Sequence, residues 1–123
     1  MISDLLHSWE ETYKKGQLTL WIFLSLRDGE KYVDEIKEFI EKYSNKTLSC
    51  EEQSIYRSLR KYLHLGIVEF NLKEGNKGPD RKYYSLTKTG DSLLDEFSKR
   101  NISLFYEKKI LSLLNQTQND NND

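Results

Sequence analysis

Between residues 50 and 90 the chain passes through a basic amphipathic segment, SIYRSLRKYLHLGIVEF, a charged turn, and the segment GPDRKYYSLTKTG. Ile55, Leu59, Tyr62 and Leu63 recur at the interval that lines one side of a 3.6-residue helical turn, and Gln53, Arg57, Arg60, Lys61 and His64 recur on the opposite side. Ser49 followed three residues later by Glu52 reads as a capping box, the Ser oxygen taking an orphan amide and the Glu reaching back. Gly66 is placed to supply the left-handed residue just beyond the helix end. A helix is therefore predicted over residues 50–65.

Residues 67–72 alternate apolar and polar side chains, which suits a half-buried strand. The following KEGNKGPD is made of turn formers, and residues 81–87, enriched in aromatic and β-branched types, read as the return strand. Successive strand residues point to opposite faces, so Tyr83 and Tyr84 should divide between core and exterior. A helix, a two-stranded ribbon with a Gly-Pro tip and a second helix, in that order, form the back half of a winged helix-turn-helix. That fold points to duplex DNA.

Upstream, residues 3–14 read as a short helix with Leu5, Leu6 and Trp9 on its apolar side. Residues 17–27 (QLTLWIFLSLR) are too continuously apolar for a surface helix and fit a central one. Residues 31–43 form the first helix of the helix-turn-helix, with Val33, Ile36 and Ile40 inward. Downstream, residues 91–114 carry Phe97, Leu104 and Leu111 at a seven-residue interval resembling a coiled-coil seam, with Asn101 a possible break; one long helix and two short ones both fit. The expected organisation is an N-terminal helix (1–16), a winged helix-turn-helix (17–89), a C-terminal dimerisation helix (90–114) and a disordered polar tail (115–123). The fold class is mainly α with a small β-hairpin.

A net charge of −1 looks unsuited to DNA until it is divided along the chain. From Arg57 to Lys88 there are eight Lys and Arg against three carboxylates, an excess of +5 that leaves −6 for the remainder. Screening cuts exposed charge interactions beyond about 8–10 Å, so the local excess governs attraction to phosphates. No apolar run approaches the length of a membrane span, no signal-like N-terminus is present, and a cytoplasmic protein is expected. One Cys and two His supply no disulfide and no four-ligand zinc site, so no metal or cofactor is expected. Cys50, at the predicted helix start, is where a helix dipole lowers a thiol pKa and makes a redox sensor, against the plainer and favoured reading of an unreactive exposed or half-buried thiol. No nucleophile–base pair or phosphate loop supports an enzyme.

Helix-turn-helix docking brings the first part of the second helix to base edges while the wing holds phosphates. Gln53, Ser54 and Arg57 are thus the candidate base readers, Gln suiting adenine and Arg guanine. Tyr56, Arg60, Lys61, Lys77, Arg81 and Lys82 are the candidate phosphate contacts. Trp9, Trp21, Phe97 and Phe105 are candidates for an aromatic pocket, against the plainer reading that aromatics at helical spacing are core.

KGQLTLWIFLSL, KYVDEIKEFI, SIYRSLRKYLHLGIV and GPDRKYYSLTKTG together resemble the PadR family of winged-helix transcriptional regulators, particularly its shorter members with a single C-terminal helical segment, over residues 15–97. The resemblance implies a homodimeric, ligand-responsive repressor without enzymatic activity, its dimer contacts made by the C-terminal helix with help from the N-terminal one, and a small aromatic effector. Two departures stand out. Val33 follows Tyr32 where the family usually has glycine, and Glu51 and Glu52 begin the helix expected to approach DNA. Those carboxylates and the acidic remainder keep a second reading open, a winged-helix module that binds protein instead.

Overall fold

The computed structural model describes residues 1–75 and 77–116. In order the elements are α1 (Ile2–Tyr13), α2 (Gln17–Asp28), α3 (Val33–Tyr43), α4 (Glu52–His64), β1 (Val68–Gly75), β2 (Gly78–Leu86), α5 (Lys88–Asn101), a 3-10 turn (Ser103–Tyr106) and α6 (Lys108–Leu114). The chain divides into a unit of residues 1–91 and a second unit from residue 92. The predicted disordered tail lies outside the described residues from position 117 onward.

In the first unit the core gathers around α2, where Ile22, Phe23 and Leu26 are buried and none of residues 17–26 is exposed. Val33, Ile36 and Ile40 of α3 meet Ile55 and Leu59 of α4 in this core. Each such side chain contributes about 1.5–3 kcal/mol through removal from water. The burial fixes α4 about its own axis, and the rotation determines which residues are turned outward. By contrast, α1 buries none of its residues, and Ile2, Leu5, Leu6 and Trp9 are all exposed.

Both helices of the helix-turn-helix end in the same way. At α4, Ile67 N–H donates to the Tyr62 carbonyl (2.8 Å) and Gly66 N–H to the Leu63 carbonyl (3.1 Å), with Gly66 at φ +75°, as its position in the sequence predicts. At α3, Lys46 and Asn45 donate to the Glu41 and Lys42 carbonyls (2.9 and 3.2 Å), both with positive φ although neither is glycine. The start of α4 differs from the sequence reading. Glu51 is its N-cap and no side chain caps it, so the Ser49–Glu52 capping box is not formed; the Glu52 carboxyl turns toward Asp34 instead.

β1 and β2 pair antiparallel from Val68↔Leu86 to Lys73↔Arg81 and close at Gly75↔Gly78, with a register shift beyond Lys73. The strands run further into KEGNKGPD than side-chain pattern predicts, because the ladder is made by backbone groups. Pro79, which has no N–H to offer, falls in the irregular stretch. Lys31, expected to open α3, instead exchanges two backbone hydrogen bonds with Tyr84 (3.0 and 2.8 Å) as a one-residue third strand. Tyr84 is buried and Tyr83 half-buried.

The wing returns to helix through Thr87. Its N–H donates to the Ile67 carbonyl (3.0 Å), its Oγ1 donates to the Gly66 carbonyl (2.7 Å), and the same Oγ1 accepts from Gly90 N–H (3.1 Å) as the N-cap of α5. Gly90 packs so closely that a Cβ there would lie 2.1 Å from the Ile67 carbonyl oxygen.

In the second unit Leu94 is buried while Leu93, Phe97, Leu104, Phe105 and Leu111 are exposed. α5 stops at Asn101, whose amide donates to the Phe97 carbonyl (3.1 Å), and α6 begins after Glu107, whose carboxylate accepts from the Lys109 and Ile110 N–H groups (3.0 and 3.3 Å). Two helices are formed rather than one, so Phe97, Leu104 and Leu111 do not share a continuous helical seam.

Gly90→Ala is expected to lower the free energy of unfolding by about 1–3 kcal/mol or to prevent folding, since the clash is with the backbone carbonyl of Ile67 rather than with a flexible side chain. A urea midpoint equal to that of the unmodified protein would contradict this packing.

Candidate nucleic-acid interface

With Ile55 and Leu59 anchored in the core, α4 presents Gln53, Tyr56, Arg57, Arg60 and Lys61 to solvent. Ser54, the third candidate base reader, is half-buried. Lys61 Nζ rests 5.2 Å from the centre of the Tyr62 ring, leaving its charge at the surface.

Strand alternation separates the wing cations. Lys82 shares a face with Phe70 and Tyr84, its Nζ 4.8 Å above the Phe70 ring. Arg81 lies on the other face with Lys73 and Tyr83, its guanidinium 4.4 Å from the Tyr32 ring. Lys77 is exposed at the wing tip. An open groove of about 520 Å³ runs between α4 and the wing, bordered by Tyr56 and Arg60 on one side and Arg81 and Lys82 on the other, with Asp34 and Asp80 also at its edge. The backbone positions of adjacent Arg81 and Lys82 thus let one strand border the groove from both of its faces. Of the cations that give this region its positive excess, Lys73 is engaged elsewhere: it pairs with Glu30, whose hydrogen bond raises the ammonium pKa.

Burial pushes the Tyr84 phenol above its ordinary pKa, with Tyr56 adding to the rise and Arg60 opposing it. The Glu52 carboxyl is likewise raised, by its hydrogen bond to Asp34 and that group's charge, with Lys37 pulling back. Cys50 is a half-buried free thiol. It precedes the helix by two positions, and burial together with Glu41 raises the thiol pKa, only partly offset by Lys37.

Sequence reasoning missed Tyr32, Asp34 and Asp80 at the groove and Glu30 behind the wing; none carries a helical or strand periodicity that would mark it. The candidate aromatic residues are dispersed over the elements: Trp9 is exposed on α1, Trp21 half-buried on α2, Phe97 exposed on α5 and Phe105 exposed on the 3-10 turn. Among the described residues no three His, Cys, Asp or Glu converge on a metal position, and no helix is long and apolar enough to cross a membrane.

The sequence profile of the "Transcriptional regulator PadR-like family" matches residues 22–96, more than half of the chain. This chain belongs to the PadR-like family. The family consists of transcriptional regulators rather than enzymes. A PadR-like transcription factor from Bacteroides fragilis is 27% identical, with a TM-score of 0.64 over 80% of this chain and 93% of that one. A PadR-like regulator from Bacillus cereus is also 27% identical, with a TM-score of 0.66 over 86% and 99% of the two chains. Bacillus subtilis PadR, crystallised in complex with operator DNA, is 25% identical with a TM-score of 0.60 over 65% of this chain; the match spans only 45% of that protein. No curated protein matches. The mainly α winged fold with one small hairpin is therefore the PadR fold.

Because the folded state holds a proton on Glu52 more tightly than an ordinary carboxyl of pKa 4.5 does, the pair stabilises the fold at low pH and loses that contribution as pH rises through the raised value. Glu52→Gln is expected to leave stability at pH 7 unchanged or higher and to flatten its pH dependence just above the ordinary carboxylate range. A variant less stable at pH 7, in denaturant titrations across that range, would contradict the pairing.

Proposed function

We propose that this PadR-like chain is a sequence-specific DNA-binding repressor that reads duplex DNA with α4 and grips phosphates with the wing. The observation that carries the reading is the two-sidedness of α4. Ile55 and Leu59 are inside, and Gln53, Arg57, Arg60 and Lys61 are outside beside the cationic wing. Gln53 and Arg57, in the first half of the helix, are the base readers; Tyr56, Arg60, Lys61, Lys77, Arg81 and Lys82 contact phosphates, with Ser54 an accessory from its half-buried position. The Bacillus subtilis relative's complex with operator DNA supports duplex DNA as the partner.

The repressor acts in the cytoplasm as a homodimer through α1 and the C-terminal helices, where Leu5, Leu6, Trp9, Phe97 and Phe105 leave apolar surface exposed. A small aromatic effector releases it from DNA. Carboxylates at the start of α4 favour a second reading, a protein-binding module. Salt separates the two, because counterion release makes DNA binding fall steeply with ionic strength.

Selection from a random duplex library is expected to enrich an inverted repeat with half-sites about one helical turn apart. The Arg57→Ala, Lys61→Ala double variant is expected to bind the selected duplex at least about tenfold more weakly, given about 1–3 kcal/mol for a bidentate base contact alone. Unchanged affinity in the folded variant would refute the docking of α4. Sedimentation at micromolar concentration should show a dimer; a monomer would overturn the proposed assembly.

A further inference from the structure

The three residues 30–32, ahead of α3, make a set of contacts with the hairpin that reaches the edge of the groove through Tyr32 and Arg81. Lys31 pairs through its backbone with Tyr84. Tyr32 lies edge-on to Tyr83, ring centres 5.3 Å apart, and beneath the Arg81 guanidinium at 4.4 Å. Glu30 pairs with Lys73, whose ammonium also lies 4.9 Å from the Tyr83 ring. Lys73 and Arg81 are cross-strand partners, so the contacts form one layer covering the outer face of the hairpin as far as that pair.

We propose that Tyr32 is a positioning residue that fixes the angle of the wing and the direction of Arg81 before any DNA arrives. Its own backbone cannot drift. Tyr32 N–H donates to the Glu35 carboxylate (3.2 Å), its carbonyl accepts from Ile36 N–H (3.0 Å), and its neighbour Lys31 is tied to β2. The ring is therefore a fixed platform at the start of α3, the helix packed against α4. A cation resting on such a ring loses side-chain freedom ahead of binding, which lowers the ordering cost on contact with a phosphate. Lys73, neutralised by Glu30, belongs to the brace and contributes no phosphate contact.

The assignment rests on the DNA-binding reading for its consequence but not for its geometry, and two measurements keep them apart. In the free full-length protein, Tyr32→Leu is expected to speed amide exchange in residues 70–73 and 81–83 by about two- to fivefold, the size of one exposed cation–ring contact, while Tyr32→Phe retains protection. Equal exchange in Tyr32→Leu and the unmodified protein would overturn the positioning role, whether or not DNA binds.

On the selected duplex, Arg81→Ala should weaken binding in the unmodified background and have little further effect once Tyr32→Leu is present, because the loss is shared. Lys82→Met should reduce the slope of log affinity against log salt by about 0.9 for each subunit bound, and Lys73→Met should leave it unchanged. Additive Tyr32 and Arg81 effects, or a Lys73→Met slope change as large as that of Lys82→Met, would overturn the proposal. Absence of any duplex binding by the unmodified protein would count against the DNA reading alone, and the exchange result would still decide the role of Tyr32.

Discussion

Two backbone hydrogen bonds, between Lys31 and Tyr84, tie the hairpin to the segment that opens α3. An isolated two-stranded ribbon is marginal in water, and this one has only one fully buried residue on β2, Tyr84, with Phe70 tilted against it at 5.7 Å. The Lys31 bridge supplies a third edge near the base of β2, and Thr87 and Gly90 pin the same base against Ile67. Held at its base, the wing stands beside α4. The groove and its bordering cations follow from that constraint.

Charge then divides the molecule by location. A chain of net charge −1 concentrates its positive excess on α4 and the wing, yet carboxylates enter the same neighbourhood at Asp34, Glu52 and Asp80. The Glu52 carboxyl, fully solvated and paired with Asp34, costs little in the fold but places negative charge at the end of the helix proposed to meet bases. Glutamate can accept from the cytosine amino group, whereas it repels phosphate.

Much of this architecture was legible in the sequence because burial leaves a periodic trace. Ile55 and Leu59 mark the inner face of α4, and the outward residues follow by geometry; the dense apolar run at 17–27 announces α2, and Tyr83 and Tyr84 separate by strand alternation. Features made by backbone groups left no such trace. The Lys31 bridge and the strand extension through Gly75 and Gly78 depend on N–H and C=O positions that any side chain permits. The supposed Ser49–Glu52 box failed because the helix starts two residues later than the Ser-x-x-Glu spacing suggests. Charge alone does not separate Arg81 from Lys82, whereas strand alternation places them on opposite faces, and the Tyr32 contact depends on a packing of the α3 start against the hairpin that no local sequence pattern encodes.

The central claim is that α4 and the wing together form the surface that meets DNA. Chemical-shift mapping of the full-length protein against the selected duplex tests it most directly. The largest perturbations are expected at Gln53, Arg57, Arg60, Lys77 and Lys82, with smaller ones at Trp9 and Leu5. Perturbations confined to α1 or the C-terminal helices, with α4 unchanged at saturation, would contradict it.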